Sequence, residues 1–126
     1  MLNKPIKVAF VVEDIVASVE FYTRVLDLEV EATYPEGNRI EDSYVFLKSE
    51  TIIIELMPKK FMGNTPLGFH HLAFWSDNIS ENLKEISNRG GEPLSNAFSA
   101  GVGGITLGDF RGPEGILLRL FNQKIK

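Results

Sequence analysis

Lys7-Val-Ala-Phe-Val-Val-Glu-Asp14-Ile15 recurs 64 positions on as His71-Leu-Ala-Phe-Trp-Ser-Asp-Asn78-Ile79. Ala9, Phe10 and Ile15 return as Ala73, Phe74 and Ile79. At the same offset Thr51-Ile-Ile-Ile-Glu55-Leu-Met falls on Gly115-Ile-Leu-Leu-Arg119-Leu-Phe. A repeat of half the chain makes the fold two copies of one module. In each copy a polar side chain interrupts an apolar strand at two places: Lys7 and Glu55 in the first, His71 and Arg119 in the second.

Working outward, Ile6 to Val12 is rich in β-branched residues and reads as a strand. Asp14 can cap a helix through its carboxylate, and Ile15, Val19, Tyr22 and Val25/Leu26 follow at helical spacing, ending near Asp27. Strands are predicted over 28–34, 43–48 and 51–57, with turns at Pro35 to Asn38 and Lys48 to Glu50. The pattern restarts after a Gly- and Pro-bearing linker. Phe69 to Ser76 reads as a strand and Asn78 as a cap. Ile79, Leu83 and Ile86 mark a helix stopped by Gly90 in a left-handed C-cap. Strands are predicted over Pro93 to Phe98, Ile105 to Phe110 and Gly115 to Asn122. The expected fold is α+β: two βαβββ modules, residues 1–58 and 69–126, joined by a linker over 58–68, in one domain. Half of such a chain is too small for a robust core of its own, so the modules should share one.

Composition excludes several functions. The chain has 126 residues, a net charge of −4 and no cysteine. Scattered Lys and Arg do not make a phosphate-binding surface, so nucleic acid is not an expected partner. Absence of cysteine removes thiol catalysis and thiolate metal sites. No apolar run reaches membrane-spanning length, and a cytoplasmic protein is the expectation. Lys124 and Lys126 read as a solvated tail.

Alternation along the strands places Lys7, Ala9 and Val11 on one face, and likewise His71, Ala73 and Trp75. Ile53, Glu55 and Met57 share a face, as do Leu117, Arg119 and Phe121. The apolar sets Ile52/Ile54/Leu56 and Ile116/Leu118/Leu120 should then pack on the helices. The polar faces are left to line a concave surface. His70 and His71 point to opposite faces, so they cannot chelate jointly. Ala100-Gly-Val-Gly-Gly104 lacks the Lys-Ser/Thr of a phosphate loop and reads as a flexible loop. Phe61 and Met62 read as packing, and the facing of Tyr44 and Phe46 stays open.

The segment Val11-Val-Glu-Asp14-Ile-Val-Ala-Ser18-Val-Glu-Phe21-Tyr22-Thr-Arg-Val25-Leu26-Asp-Leu28 resembles the opening of the vicinal oxygen chelate superfamily, which includes glyoxalase I, extradiol dioxygenases and the bleomycin-resistance proteins. Asp27 stands where Gly is usual. Phe110-Arg-Gly112-Pro113-Glu114-Gly115-Ile-Leu-Leu-Arg119-Leu is similar to the family's Asp-Pro-Asp-Gly turn and final strand, with Gly112 in place of Asp. The resemblance implies two modules curling into a cup-shaped mixed sheet with helices outside, and a homodimer. It also implies metal ligands on the first and last strands of each module, commonly His or Gln, then Glu, His and Glu. Those slots fall on Lys7, Glu55, His71 and Arg119.

Divalent metals need neutral or anionic electron-pair donors, which an ammonium and a guanidinium cannot supply. No metal or other cofactor is therefore expected. The alternative is a divalent Ni, Zn, Mn or Fe ion on Glu55 and His71. The functional expectation is a small polar or anionic ligand in the cup. Arg119 and Lys7 would hold it, and Trp75, Met57 and Phe121 would form an apolar wall. Two alternatives stay beside it. One is an enzyme of glyoxalase I, lyase/isomerase or dioxygenase type. It would be metal-dependent, or would transfer protons without metal using Glu55 or His71 as catalytic base. The other is a self-neutralised salt-bridge cluster that binds nothing.

Overall fold

Burial alternates along the first strand as the sequence pattern requires. In the computed structural model, which describes residues 4–124, Lys7, Ala9 and Val11 of β1 (Pro5–Val12) are buried while Val8, Phe10 and Val12 are half-buried, Phe10 and Val12 under a helix. The described chain divides into two compact units, residues 7–70 and residues 71–124, the second also taking in residues 4–6.

In the first unit, Asp14 accepts a bond from the Ala17 amide at 3.0 Å and starts α1 (Ile15–Glu20). The helix does not run on regularly to Asp27. Thr23 turns its hydroxyl to the Val19 carbonyl at 2.8 Å, and Phe21–Val25 widens into a π-helical turn; such back-bonding competes with the regular ladder. Asp27 then takes a left-handed conformation at φ 60°. That explains why glycine suits this position, and why aspartate, which visits that region more readily than most residues, can replace it. Asp27→Val should cost about 1–2 kcal/mol in urea melts, while Asp27→Gly should be neutral or stabilising.

β2 (Glu29–Tyr34) pairs antiparallel with β3 (Tyr44–Lys48), β3 antiparallel with β4 (Ile53–Pro58), and β4 parallel with β1. The connection before β4 is longer than the three-residue turn expected. The Ser49 hydroxyl accepts the Thr51 and Ile52 amides, which takes these two residues out of the strand. Ile15, Val19, Val45, Leu47 and Leu56 form the helix-side core, with Phe10, Val12, Tyr22 and Ile54 packed around it.

The second unit repeats this plan. β5 (Gly68–Trp75) leads to Asn78, which accepts the Glu81 amide at 3.2 Å and caps α2 (Ile79–Asn88). Gly90 follows the helix at φ 90°, as expected of its C-cap. The strand expected over Pro93 to Phe98 is instead two short pieces, β6 (Glu92–Pro93) and β7 (Phe98–Ser99). The Asp109 amide donates to the Ser95 hydroxyl at 3.0 Å, and this side-chain bond replaces a rung of the ladder. β8 (Thr106–Arg111) pairs with β6, with β7 and with β9 (Leu117–Phe121), and β9 runs parallel to β5. β9 starts later than the sequence suggested, because Pro113–Gly115 forms a tight 3₁₀ turn that leaves Ile116 exposed.

Ile79, Leu83, Ile86 and Leu120 form the helix-side core here. Gly108 lets the helix approach closely, since a Cβ there would lie 2.7 Å from Ile79 and 2.9 Å from Leu83. At the edge of this unit the Trp75 amide donates to the Lys4 carbonyl at 2.9 Å. Each unit thus mixes parallel and antiparallel pairs around one helix, and the chain is α+β in the βαβββ plan read from the repeat.

Candidate functional site

Register fixes the faces that the sequence left open. In the first unit Ala9 lies opposite Glu55 and Glu55 opposite Phe46, so Lys7, Glu55 and Phe46 share the face turned away from α1. Tyr44 shares it too, being two residues from Phe46. The Lys7 ammonium is ion-paired and hydrogen-bonded to Glu55 Oε1. Lys7 is 1% exposed and Glu55 7%. The Lys7 ammonium also lies 5.4 Å from the Phe46 ring centroid, within range of a cation–π attraction. Desolvating two charges is costly, and their mutual attraction together with added contacts offsets it only when the geometry is good.

Aromatic and thioether groups surround this pair. Met57 is buried with Ala9 and Val11, and Tyr44 and Met62 pack against them. Tyr34 meets Phe46 edge to face at 5.3 Å, and Tyr44 meets Phe61 at 5.6 Å. Burial, and secondarily the Glu55 charge, pushes the Tyr44 phenol above its usual pKa. It therefore remains a hydrogen-bond donor throughout the neutral range.

In the second unit Ala73 lies opposite Arg119, and Arg119 opposite Asp109. His71, Trp75, Arg119, Phe121 and Asp109 consequently share the face turned away from α2. His71 and Phe121 are fully buried. Asp109 holds Arg119 in a two-pronged pair, Nε to Oδ1 at 2.6 Å and Nη2 to Oδ2 at 3.1 Å. Both side chains keep some solvent contact, at 15% and 17% exposure. Arg119 was expected to help hold a ligand, and its guanidinium has Asp109 as a carboxylate partner. The 64-residue repeat could not reveal Asp109, because its counterpart is Val45. The available signal was a lone aspartate interrupting the apolar run 105–110.

Two lysines approach the Trp75 ring. The Lys4 ammonium is 5.2 Å and the Lys124 ammonium 4.3 Å from its ring. Lys124 is exposed, in keeping with the solvated tail expected, while its ammonium lies against the indole; Lys126 lies outside the described residues.

The two units place their polar slots alike. Lys7 sits two residues before the partner of Glu55, and His71 two residues before the partner of Arg119. The donor set does not fit a divalent metal. Two of the four slots carry cations, and the carboxylate of a third is engaged by one of them. Among the described residues no three His, Asp or Glu side chains gather as metal ligands would. No described helix is long and apolar enough to cross a membrane.

A family model described as Glyoxalase/Bleomycin resistance protein/Dioxygenase superfamily matches residues 5–120. No curated protein matches the chain at a significant level. Among solved structures, hypothetical protein BH1468 from Bacillus halodurans C-125 aligns with a TM-score of 0.77 at 21% identity, covering 98% of this chain and 96% of that one. Methylmalonyl-CoA epimerase from Mycobacterium tuberculosis aligns with a TM-score of 0.76 at 17% identity, covering 98% and 90%. A variant of the Streptomyces coelicolor methylmalonyl-CoA epimerase, in complex with 2-nitronate-propionyl-CoA, aligns with a TM-score of 0.71 at 22% identity, covering 99% and 100%.

Proposed function

Because the chain belongs to the Glyoxalase/Bleomycin resistance protein/Dioxygenase superfamily, we propose that it binds a small polar or anionic molecule through the polar strand faces of its modules, without a divalent metal. The observation that carries this reading is the buried Lys7–Glu55 ion pair at two slots where metal-using members of such a fold would need donors. The ammonium occupies the carboxylate and repels a dication, while leaving a desolvated polar centre walled by Phe46, Tyr44 and Met57. Two of the five N–H donors of Arg119 are spent on Asp109. The others can meet a carboxylate or phosphate oxygen.

Thermal melting tests the metal claim. A ligand that binds only the native state raises the melting point. Ni²⁺, Zn²⁺, Mn²⁺ and Fe²⁺ at tenfold excess should leave the melting point within about a degree of the EDTA-treated value. A rise that is saturable and disappears in His71→Ala would overturn the metal-free reading.

A second reading follows from the epimerase neighbours: an isomerase that moves a proton beside a carbonyl group, with His71 as base and the Arg119 cation of the same unit steadying the enolate. Glu55 is the weaker candidate for base because Lys7 already engages its carboxylate. Incubation with methylmalonyl-CoA in D₂O discriminates the two. Enzyme-dependent deuterium incorporation at the carbon between the carbonyls supports the isomerase, and its absence favours the binding protein.

A further inference from the structure

We propose that the outer face of α1 and of the π-helical turn after it is the surface on which a second copy of this chain docks. Side chains one turn apart share a helix face. On the inner face Ile15 and Val19 are buried in the core of the first unit. On the outer face Ala17, Phe21 and Val25 follow turn by turn, with Val16 and Leu26 at the two ends, and all five are exposed. Phe21 and Val25 keep 50% and 56% of their surface open to water. The second unit carries other chemistry at the same positions. At the 64-residue offset Val16, Ala17, Phe21, Val25 and Leu26 become Ser80, Glu81, Glu85, Arg89 and Gly90. Glu85 and Arg89 pair there at 2.8 Å.

One module of a duplicated fold thus has a polar water-facing helix, and the other has an apolar strip in its place. A contiguous exposed strip marks an interaction surface, whereas singly scattered apolar residues mark nothing. The charges beside the strip select its occupant. Glu20 and Arg24 are exposed, lie one turn apart and approach each other to 3.7 Å. A two-fold axis crossing the helix near Tyr22 sets two copies antiparallel, and such an interface joins the same patch on both. Glu20 of each copy then faces Arg24 of the other, and Phe21 packs beside Val25. A parallel pairing would set like charges opposite each other. The strip is therefore complementary to itself, with an apolar centre and a charged rim. The superfamily resemblance implies a homodimer without saying which face forms it. The strip lies on the side of α1 away from its core and uses no residue of the Lys7–Glu55 centre. It stands whether or not that centre binds a ligand.

Sedimentation velocity over a range of protein concentrations tests this. The parent chain should form a dimer with a Kd in the micromolar range or tighter. Phe21→Glu/Val25→Arg gives the first helix the pair that the second already carries. It should weaken dimerisation by about tenfold or more. The far-UV spectrum should stay unchanged, because substitutions at exposed positions seldom alter stability much. Glu20→Arg and Arg24→Glu should each weaken the dimer, and Glu20→Arg/Arg24→Glu should restore it, since the reversed charges again meet their opposites across the axis. Neither a different partner nor a purely structural role of these residues gives that rescue. A parent chain that stays monomeric well above the micromolar range, or a Phe21→Glu/Val25→Arg variant that dimerises as tightly as the parent, would overturn the proposal.

Discussion

Lys7→Ala is expected to cost about 3–5 kcal/mol of stability, measured by denaturant unfolding, because it leaves the Glu55 carboxylate buried without its ammonium. The size of that loss is not the worth of the pair, since most of it is the penalty of an uncompensated charge. Lys7→Met/Glu55→Leu should accordingly be far milder than the single change, near neutral or even stabilising, because apolar groups of similar volume need no desolvation. The same double variant should lose whatever ligand stabilises the parent. A stable, folded protein that no longer binds separates the functional role of the pair from a structural one. If Lys7→Ala costs less than about 1 kcal/mol, the pair is solvated like a surface ion pair, and a desolvated polar centre is the wrong description.

Leu56→Ala and Leu120→Ala should each cost about 2–5 kcal/mol. These residues are counterparts at the 64-residue offset, both are fully buried, and each lies in the helix-side core of its own unit. Deleting the side chain removes transfer energy and leaves a cavity that the sheet cannot close. Denaturant melts monitored at Trp75, which lies in the second unit, add a second readout. If the units unfold together, both variants shift that signal equally; if they unfold separately, only Leu120→Ala does.

The elements that the sequence foretold are those fixed by local chemistry. Asp14 and Asn78 cap helices with their own side-chain oxygens, and Gly90 adopts the left-handed turn for which it is suited. Strand alternation located Lys7, Glu55, His71 and Arg119 on the faces turned away from the helices, because a face is a property of a single strand. What stayed illegible depends on register between strands. Tyr44 and Phe46 could not be assigned a side until the pairing of Phe46 with Glu55 was known. Asp109 could not be matched to Arg119 without the antiparallel register of β8 and β9. The break in the strand after α2 was hidden for a related reason. It depends on Ser95 reaching an amide fourteen residues away.

The hydrogen bond from Trp75 to Lys4 bears on how the chain folds. Residues 7–70 form their unit from a continuous stretch, so its strands pair over short separations in sequence. The residues just before them belong to the other unit and must wait for partners more than seventy positions downstream. Closing so long a loop is slow compared with local pairing. Lys4 is therefore among the last residues to find its place, and changes there burden the second module more than the first.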